Sequence, residues 1–125
     1  MCGFTGYYGK GDFDRQEIID KMGEMIIHRG PDSAGSYVDE NVALGFRRLS
    51  IIDLEGGTQP IHSADGKHVI IFNGEIYNYR ELRQDLIDNH GCVFQTNSDT
   101  EVILQTYKVY GEKTASMLRG MFAFV

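Results

Sequence analysis

No apolar stretch approaches the roughly 20 residues that cross a bilayer, and no charged start, apolar middle and small-residue cleavage site follows Met1. A cytoplasmic protein with no membrane partner is the expectation. Basic residues are few: 12 Lys and Arg stand against 18 Asp and Glu, for a formal charge of −6. The chain therefore lacks the basic face that phosphate backbones require, and nucleic acid is not an expected partner. Cysteine is scarce too. Cys2 and Cys92 are the whole supply, and without a secretory signal they are expected to stay reduced rather than form a bridge. The four histidines, His28, His62, His68 and His90, fall at no spacing typical of zinc, so no metal is expected. Repeats, low-complexity tracts and the glycine loop that cradles ATP phosphates are also missing.

What is present suits one soluble domain of mixed α and β character: 125 residues, 42% hydrophobic and 24% charged. The run Cys2 to Tyr8 reads as a strand, broken by Gly9 and Gly11. Asp12 or Asp14 then caps a helix to about Ile27, whose apolar positions Ile18, Ile19, Met22, Met25 and Ile26 recur at helical spacing. Ala34 to Val38 and Val42 to Ile52 read as a hairpin turning at Asp39 to Asn41. Glu55 to Pro60 is the most loop-like stretch and is placed to close over a ligand. His68 to Phe72 reads as an apolar strand that breaks at Asn73, Gly74 and Glu75.

Asn78 with Glu81 resembles a capped start for a helix that turns Leu82, Leu86 and Ile87 inward and stops at Gly91. Cys92 to Thr96 reads as a short strand. Ser98 with Glu101 makes a capping box for a helix through about Tyr110, ended by Gly111, and a short helix over 112–119 follows. Met121 to Val125 is apolar on both faces, as a strand buried between layers would be. Because the chain stops inside that run, it is expected to be a fragment of a longer domain.

Cys2 carries the chemistry. Removal of Met1 before this small residue would leave a cysteine bearing both a thiol and a free α-amine, which titrate at about 8.5 and about 7.7–8. Such an amine can activate the thiol as a nucleophile. From position alone an ordinary strand cysteine is the better reading of Cys2, and the rest of the chain reverses that preference.

Five segments occur in order: Met1 to Gly6 (MCGFTG), His28 to Gly35 (HRGPDSAG), Arg48 to Leu54 (RLSIIDL), Asn73 to Arg83 (NGEIYNYRELR) and Ser98 to Val102 (SDTEV). Together they resemble the class II, N-terminal-nucleophile glutamine amidotransferases, and within them the glutaminase domain of glutamine-hydrolysing asparagine synthetase. The resemblance spans the chain and implies an α+β fold, the αββα sandwich of that class, truncated here in its C-terminal half.

It also implies an enzyme that releases ammonia from the side-chain amide of L-glutamine through a Cys2 thioester, for asparagine synthesis in a separate synthetase domain. Catalytic roles then fall to Cys2, Asn73 and Gly74, the last two as the oxyanion hole. Substrate contacts fall to Arg48 for the α-carboxylate, Asp99 and Glu75 for the α-ammonium, and the Ile51 backbone. A guanidinium suits the planar carboxylate. Arg47 would face the other side of the strand. The HRGPD segment is assigned to support of the first strand, and Gly56 to Gln59 to the loop over bound glutamine.

No cofactor is implied in this domain, since ATP and Mg belong to the synthetase domain. Self-association through an exposed edge near Val125 is a possible homo-oligomeric contact. The alternative function is a non-catalytic glutamine-binding or regulatory module that retains the fold.

Overall fold

Asp39 turns the first hairpin. Its carboxylate accepts from the Asn41 and Val42 N–H groups at 2.7 Å each, and those two bonds hold it below the usual carboxylate range. The hairpin joins β2 (Ser33–Val38) to β3 (Val42–Arg48), and β1 (Gly3–Tyr8) pairs with the other edge of β3. Both pairings are antiparallel, with Gly3 opposite Arg47 and Ser33 opposite Arg48. The computed structural model describes residues 2–49 and 58–125; the expected contact at Ile51, and Gly56 and Gly57 of the expected loop, lie outside them.

Helix α1 (Arg15–Met25) covers one face of this sheet. Asp14 caps it by accepting from Glu17 N–H at 3.0 Å, and Ile19 is buried over Gly45. The stripe is narrower than its spacing suggests, with Met25 80% exposed. A 3₁₀ turn, Ile27–Arg29, then leads to β2.

The second sheet layer combines two two-stranded sheets, β4 (Ile61–His62) with β5 (Val69–Ile70) and β6 (Phe72–Ile76) with β7 (Gly120–Phe124). β4 pairs with β5, and β6 with β7, all antiparallel. Ile71 sits between β5 and β6 and exchanges both backbone bonds with Val125 at 3.0 Å. Side chains alternate along this run, which explains why it is apolar throughout. Ile70, Phe72 and Ile76 pack with Ile103, Leu104 and Leu118, while Ile71 turns the other way to meet Leu44 and Phe46 of the first sheet. Each such fully buried side chain contributes about 1.5–3 kcal/mol.

Helices α2 (Tyr79–His90), α3 (Asp99–Tyr110) and α4 (Thr114–Met117) complete the outer layer, α3 lying on β5 and β6. The order of layers is helix, sheet, sheet, helix. Among the described residues, no helix is long and apolar enough to cross a membrane.

Several expectations need correction. Asn73 to Glu75 does not break the strand; β6 runs through it because β7, far along the chain, supplies a partner. Cys92 to Thr96 is not a strand, since the Gln95 and Thr96 N–H groups go to the Glu101 carboxylate at 2.8 and 2.6 Å instead of a ladder. Glu101 thereby completes only half of the expected capping box, in which Ser98 Oγ accepts from its N–H at 3.2 Å.

Asn78 does not cap α2 with its side chain. It bonds the Met117 carbonyl at 2.9 Å and the Arg119 N–H at 2.8 Å, tying α2 to the approach to β7. Leu86 is fully buried but Ile87 is 40% exposed. Nor is Met121 to Val125 buried on both faces: Phe122 and Phe124 join the helix-side core, while Met121 and Val125 are exposed. The expected last helix divides into a 3₁₀ turn, Gly111–Lys113, and the four residues of α4.

Candidate active site

The residues singled out by chemistry come from four distant segments. Cys2 precedes β1 and is half-buried, with Leu49 N–H donating to its Sγ at 3.4 Å and the thiol directed at the Leu49 carbonyl at 3.8 Å. Arg29 donates to the Cys2 carbonyl at 3.3 Å and packs against Gly3. Gly30 lies so close to the β3 backbone that a β-carbon would overlap Arg47 and Arg48. The HRGP segment thus braces the start of β1 from behind.

Arg48 ends β3, in the position that continues the β1 register opposite Cys2. It lines a cleft of about 260 Å³ with Cys2, Phe46, Gln59, Phe72, Asn73, Gly74, Ser98, Asp99 and Thr100. Arg47 points the other way and donates from Nε to the Gly23 carbonyl of α1 at 3.1 Å. A second, wider groove of about 880 Å³ also reaches Cys2, Asn73 and Gly74 and continues past Glu75, Tyr77 and Met121. Glu75 lies on that side, outside the smaller cleft. The two openings meet at Cys2, Asn73 and Gly74.

The register of β6 explains what its edge presents. Ile71 and Tyr77 donate toward β7, to Val125 and Arg119 at 3.0 and 2.7 Å, so by antiparallel alternation the even-numbered residues turn their polar groups to the opposite edge. At that edge Phe72 N–H donates to Gln59 Oε1 at 2.6 Å, and Ile76 N–H donates to Asp99 Oδ2 at 3.1 Å. Gly74 sits between them, its N–H aimed into the cleft by the same alternation. Glycine is required there: φ is +152°, and a β-carbon would stand 2.6 Å from Phe122 Cα and closer still to the Met121 carbonyl oxygen.

Asp99 opens α3, after the Ser98 cap. Burial pushes its carboxyl above the usual range, and the negative charge of Glu75 adds to this, against the opposing bond from Ile76 N–H. A cation entering the cleft would reverse that balance. One wall therefore carries a guanidinium and another a carboxylate, in a volume near the low end of roughly 300–1,000 Å³ for ligand pockets. That combination suits a small zwitterion such as a single amino acid.

Ser98 and Thr100 line the cleft without having been singled out for it, and Gln59, expected in the loop over the ligand, lines it from beside Phe72. Continuing the β4–β5 register by two residues would have paired Gln59 with Phe72, but that register is visible only once the strands are placed. Cys92 is half-buried at the end of α2, outside both openings, and burial raises its thiol. Among the described residues, no group of three or more His, Cys, Asp or Glu side chains could hold a metal ion.

Two face-to-face antiparallel sheets between helical layers, with a cysteine heading the first strand over a cleft, define the class as N-terminal-nucleophile amidotransferase. The solved glutamine phosphoribosylpyrophosphate amidotransferase from B. subtilis superposes on 99% of this chain and 34% of its own, with a TM-score of 0.76 and 26% identity. The chain belongs to the glutamine amidotransferase domain family, whose profile matches residues 1–125.

Asparagine synthetase [glutamine-hydrolyzing] 1 of Bacillus subtilis (strain 168) is 56% identical over 129 residues, covering 100% of this chain and 20% of that protein. Asparagine synthetase B [glutamine-hydrolyzing] of Escherichia coli (strain K12) is 43% identical over 127 residues, covering 99% and 22%. The chain spans about a fifth of the length of these relatives.

Proposed function

We propose that this chain hydrolyses the side-chain amide of L-glutamine to glutamate and ammonia, with Cys2 as nucleophile. The observation that carries this reading is the meeting of Cys2, Asn73, Gly74, Arg48 and Asp99 at one cleft. Once Met1 is removed, the α-amine of Cys2 accepts the thiol proton as Sγ attacks the amide carbon. The electron pair moves onto the amide oxygen, where the Asn73 side-chain amide and the Gly74 N–H donate to the oxyanion. Collapse of that intermediate expels ammonia, which takes its proton from the α-ammonium, and leaves a thioester. Water, deprotonated by the same amine, then releases glutamate and restores the thiol.

Arg48 binds the substrate α-carboxylate as a planar bidentate donor, and Asp99 receives the α-ammonium with Glu75 behind it. The Ile51 backbone is the remaining proposed contact. The similarity to glutamine-hydrolysing asparagine synthetases supports asparagine synthesis as the destination of the ammonia, in a separate synthetase domain where ATP and Mg are used. A cytoplasmic setting belongs to the same reading.

The test is intact mass before and after treatment with a diazo-ketone analogue of glutamine. A single adduct confined to Met1-free chain, and absent from Cys2→Ala, is the expected result. Glutamate release by Cys2→Ala would refute the mechanism. Glutamine binding by calorimetry without adduct or turnover on Met1-free chain would establish a non-catalytic binding module instead.

A further inference from the structure

We propose that Gln59 is a positioning residue whose side-chain amide substitutes for a missing β-strand and holds the oxyanion edge of β6 in place. The proposal rests on the glutaminase reading above. β4 pairs with β5 through Ile61 opposite Ile70 and His62 opposite Val69. The next facing position in that register, two residues on, is Gln59 opposite Phe72. There the ladder ends, yet Phe72 remains buried at 4% exposure with both backbone groups turned to that edge. Unpaired, each would cost about as much as a lost hydrogen bond.

The side chain of Gln59 satisfies both: Nε2 donates to the Phe72 carbonyl at 3.0 Å and Oε1 accepts from the Phe72 N–H at 2.6 Å. A primary amide is the side chain that can do this, because it carries one donor and one acceptor on a single planar group, as a peptide does. Gln59 is itself only 8% exposed. Its carbonyl oxygen lies so close to Gly35 that a β-carbon on that residue would overlap it, so β2 fixes the backbone from which the amide reaches.

Phe72 directly precedes Asn73, and Gly74 is the next residue whose N–H turns to the same edge. Without the amide clamp, β7 on the far side is the one backbone partner left to the strand at this point among the described residues, and the two proposed donors can rock about that hinge. Displacement of a preorganised donor weakens the transition state more than the bound substrate. Substrate recognition by Arg48 and Asp99, which stand on β3 and α3, would survive.

The test uses Gln59→Met, which keeps the length and volume but neither hydrogen bond. In the full Met1-free chain, kcat for glutamine hydrolysis is expected to fall about 10- to 100-fold while KM changes by less than about threefold. Alkylation of Cys2 by iodoacetamide, a displacement with no oxyanion, is expected to proceed at the wild-type rate, which also reports an intact first strand. A raised KM at unchanged kcat, or an equal loss of alkylation, would overturn the proposal.

Amide hydrogen exchange separates this idea from the glutaminase reading itself. Loss of protection at Phe72 in Gln59→Met, with Ile76 still protected by Asp99, supports the clamp even if the wild-type chain hydrolyses no glutamine. Unchanged protection at Phe72 refutes it whatever the activity.

Discussion

Replacing Gly74 by alanine is the most demanding test of the geometry, because two independent costs meet at one atom. The residue sits at φ +152°, where an L side chain is strained by about 1–3 kcal/mol. Its β-carbon would also stand 2.6 Å from Phe122 Cα and nearer still to the Met121 carbonyl oxygen, all of it backbone that cannot rotate away. Pushing β7 off β6 adds about 1–3 kcal/mol, as overpacking does. The sum, about 2–6 kcal/mol, is a large part of the roughly 5–15 kcal/mol that holds a domain together.

Urea unfolding followed by circular dichroism would show it. With an m-value of about 2 kcal/mol/M, the midpoint should drop by about 1–3 M. Gly66→Ala is the control, since Gly66 has φ +67° but nothing within 4 Å of a β-carbon. It should lose only about 1–2 kcal/mol, the left-handed penalty by itself. If Gly74→Ala loses no more than Gly66→Ala, the close approach of β6 to β7 is wrong. If it loses stability as expected, residual kcat measured below the transition should still be down by about 10²-fold, because the N–H at this position moves with its backbone.

Asp99, Glu101 and Asn78 each give a further test of the same structure. Asp99 has a folded pKa raised by burial, so its ionisation removes stability as pH climbs from the ordinary carboxylate value of about 3.9 through the raised one; Asp99→Asn should flatten that slope in urea titrations. Over the same window KM for glutamine should fall with rising pH in the wild type, since the α-ammonium pairs with the ionised form, and a pH-independent KM would refute that pairing. Glu101→Ala removes three acceptor contacts, to the Gln95 and Thr96 N–H groups and Thr96 Oγ1, and should cost about 3 kcal/mol and raise KM more than it lowers kcat, because the loop ahead of Asp99 loosens. Asn78→Ala should cost about 1–2 kcal/mol in thermal unfolding and increase hydrogen exchange at Arg119, whose N–H loses its acceptor; unchanged exchange there would count against the tie between α2 and β7.

Read alone, the chain disclosed its helices well, because their signals are local: Asp14 and Ser98 cap what they were expected to cap, and Gly91 and Gly111 end what they were expected to end. The family was legible too, since five ordered segments carry the resemblance together. Long-range pairing was not. β6 continues through Asn73, Gly74 and Glu75 only because β7 arrives from some fifty residues later, and no local rule foretells that a turn-like sequence will be held extended by a distant strand. The same partner leaves Met121 and Val125 exposed, where composition alone suggested burial.

Cys2, Arg48 and Asp99 could therefore be named from the sequence, because the resemblance carried by the five segments assigns them. Which edge of β6 faces the cleft was decided only by the register of β6 against β7. That register turns Phe72, Gly74 and Ile76 toward Gln59, open space and Asp99 in turn, because antiparallel strands alternate their hydrogen-bonding direction residue by residue.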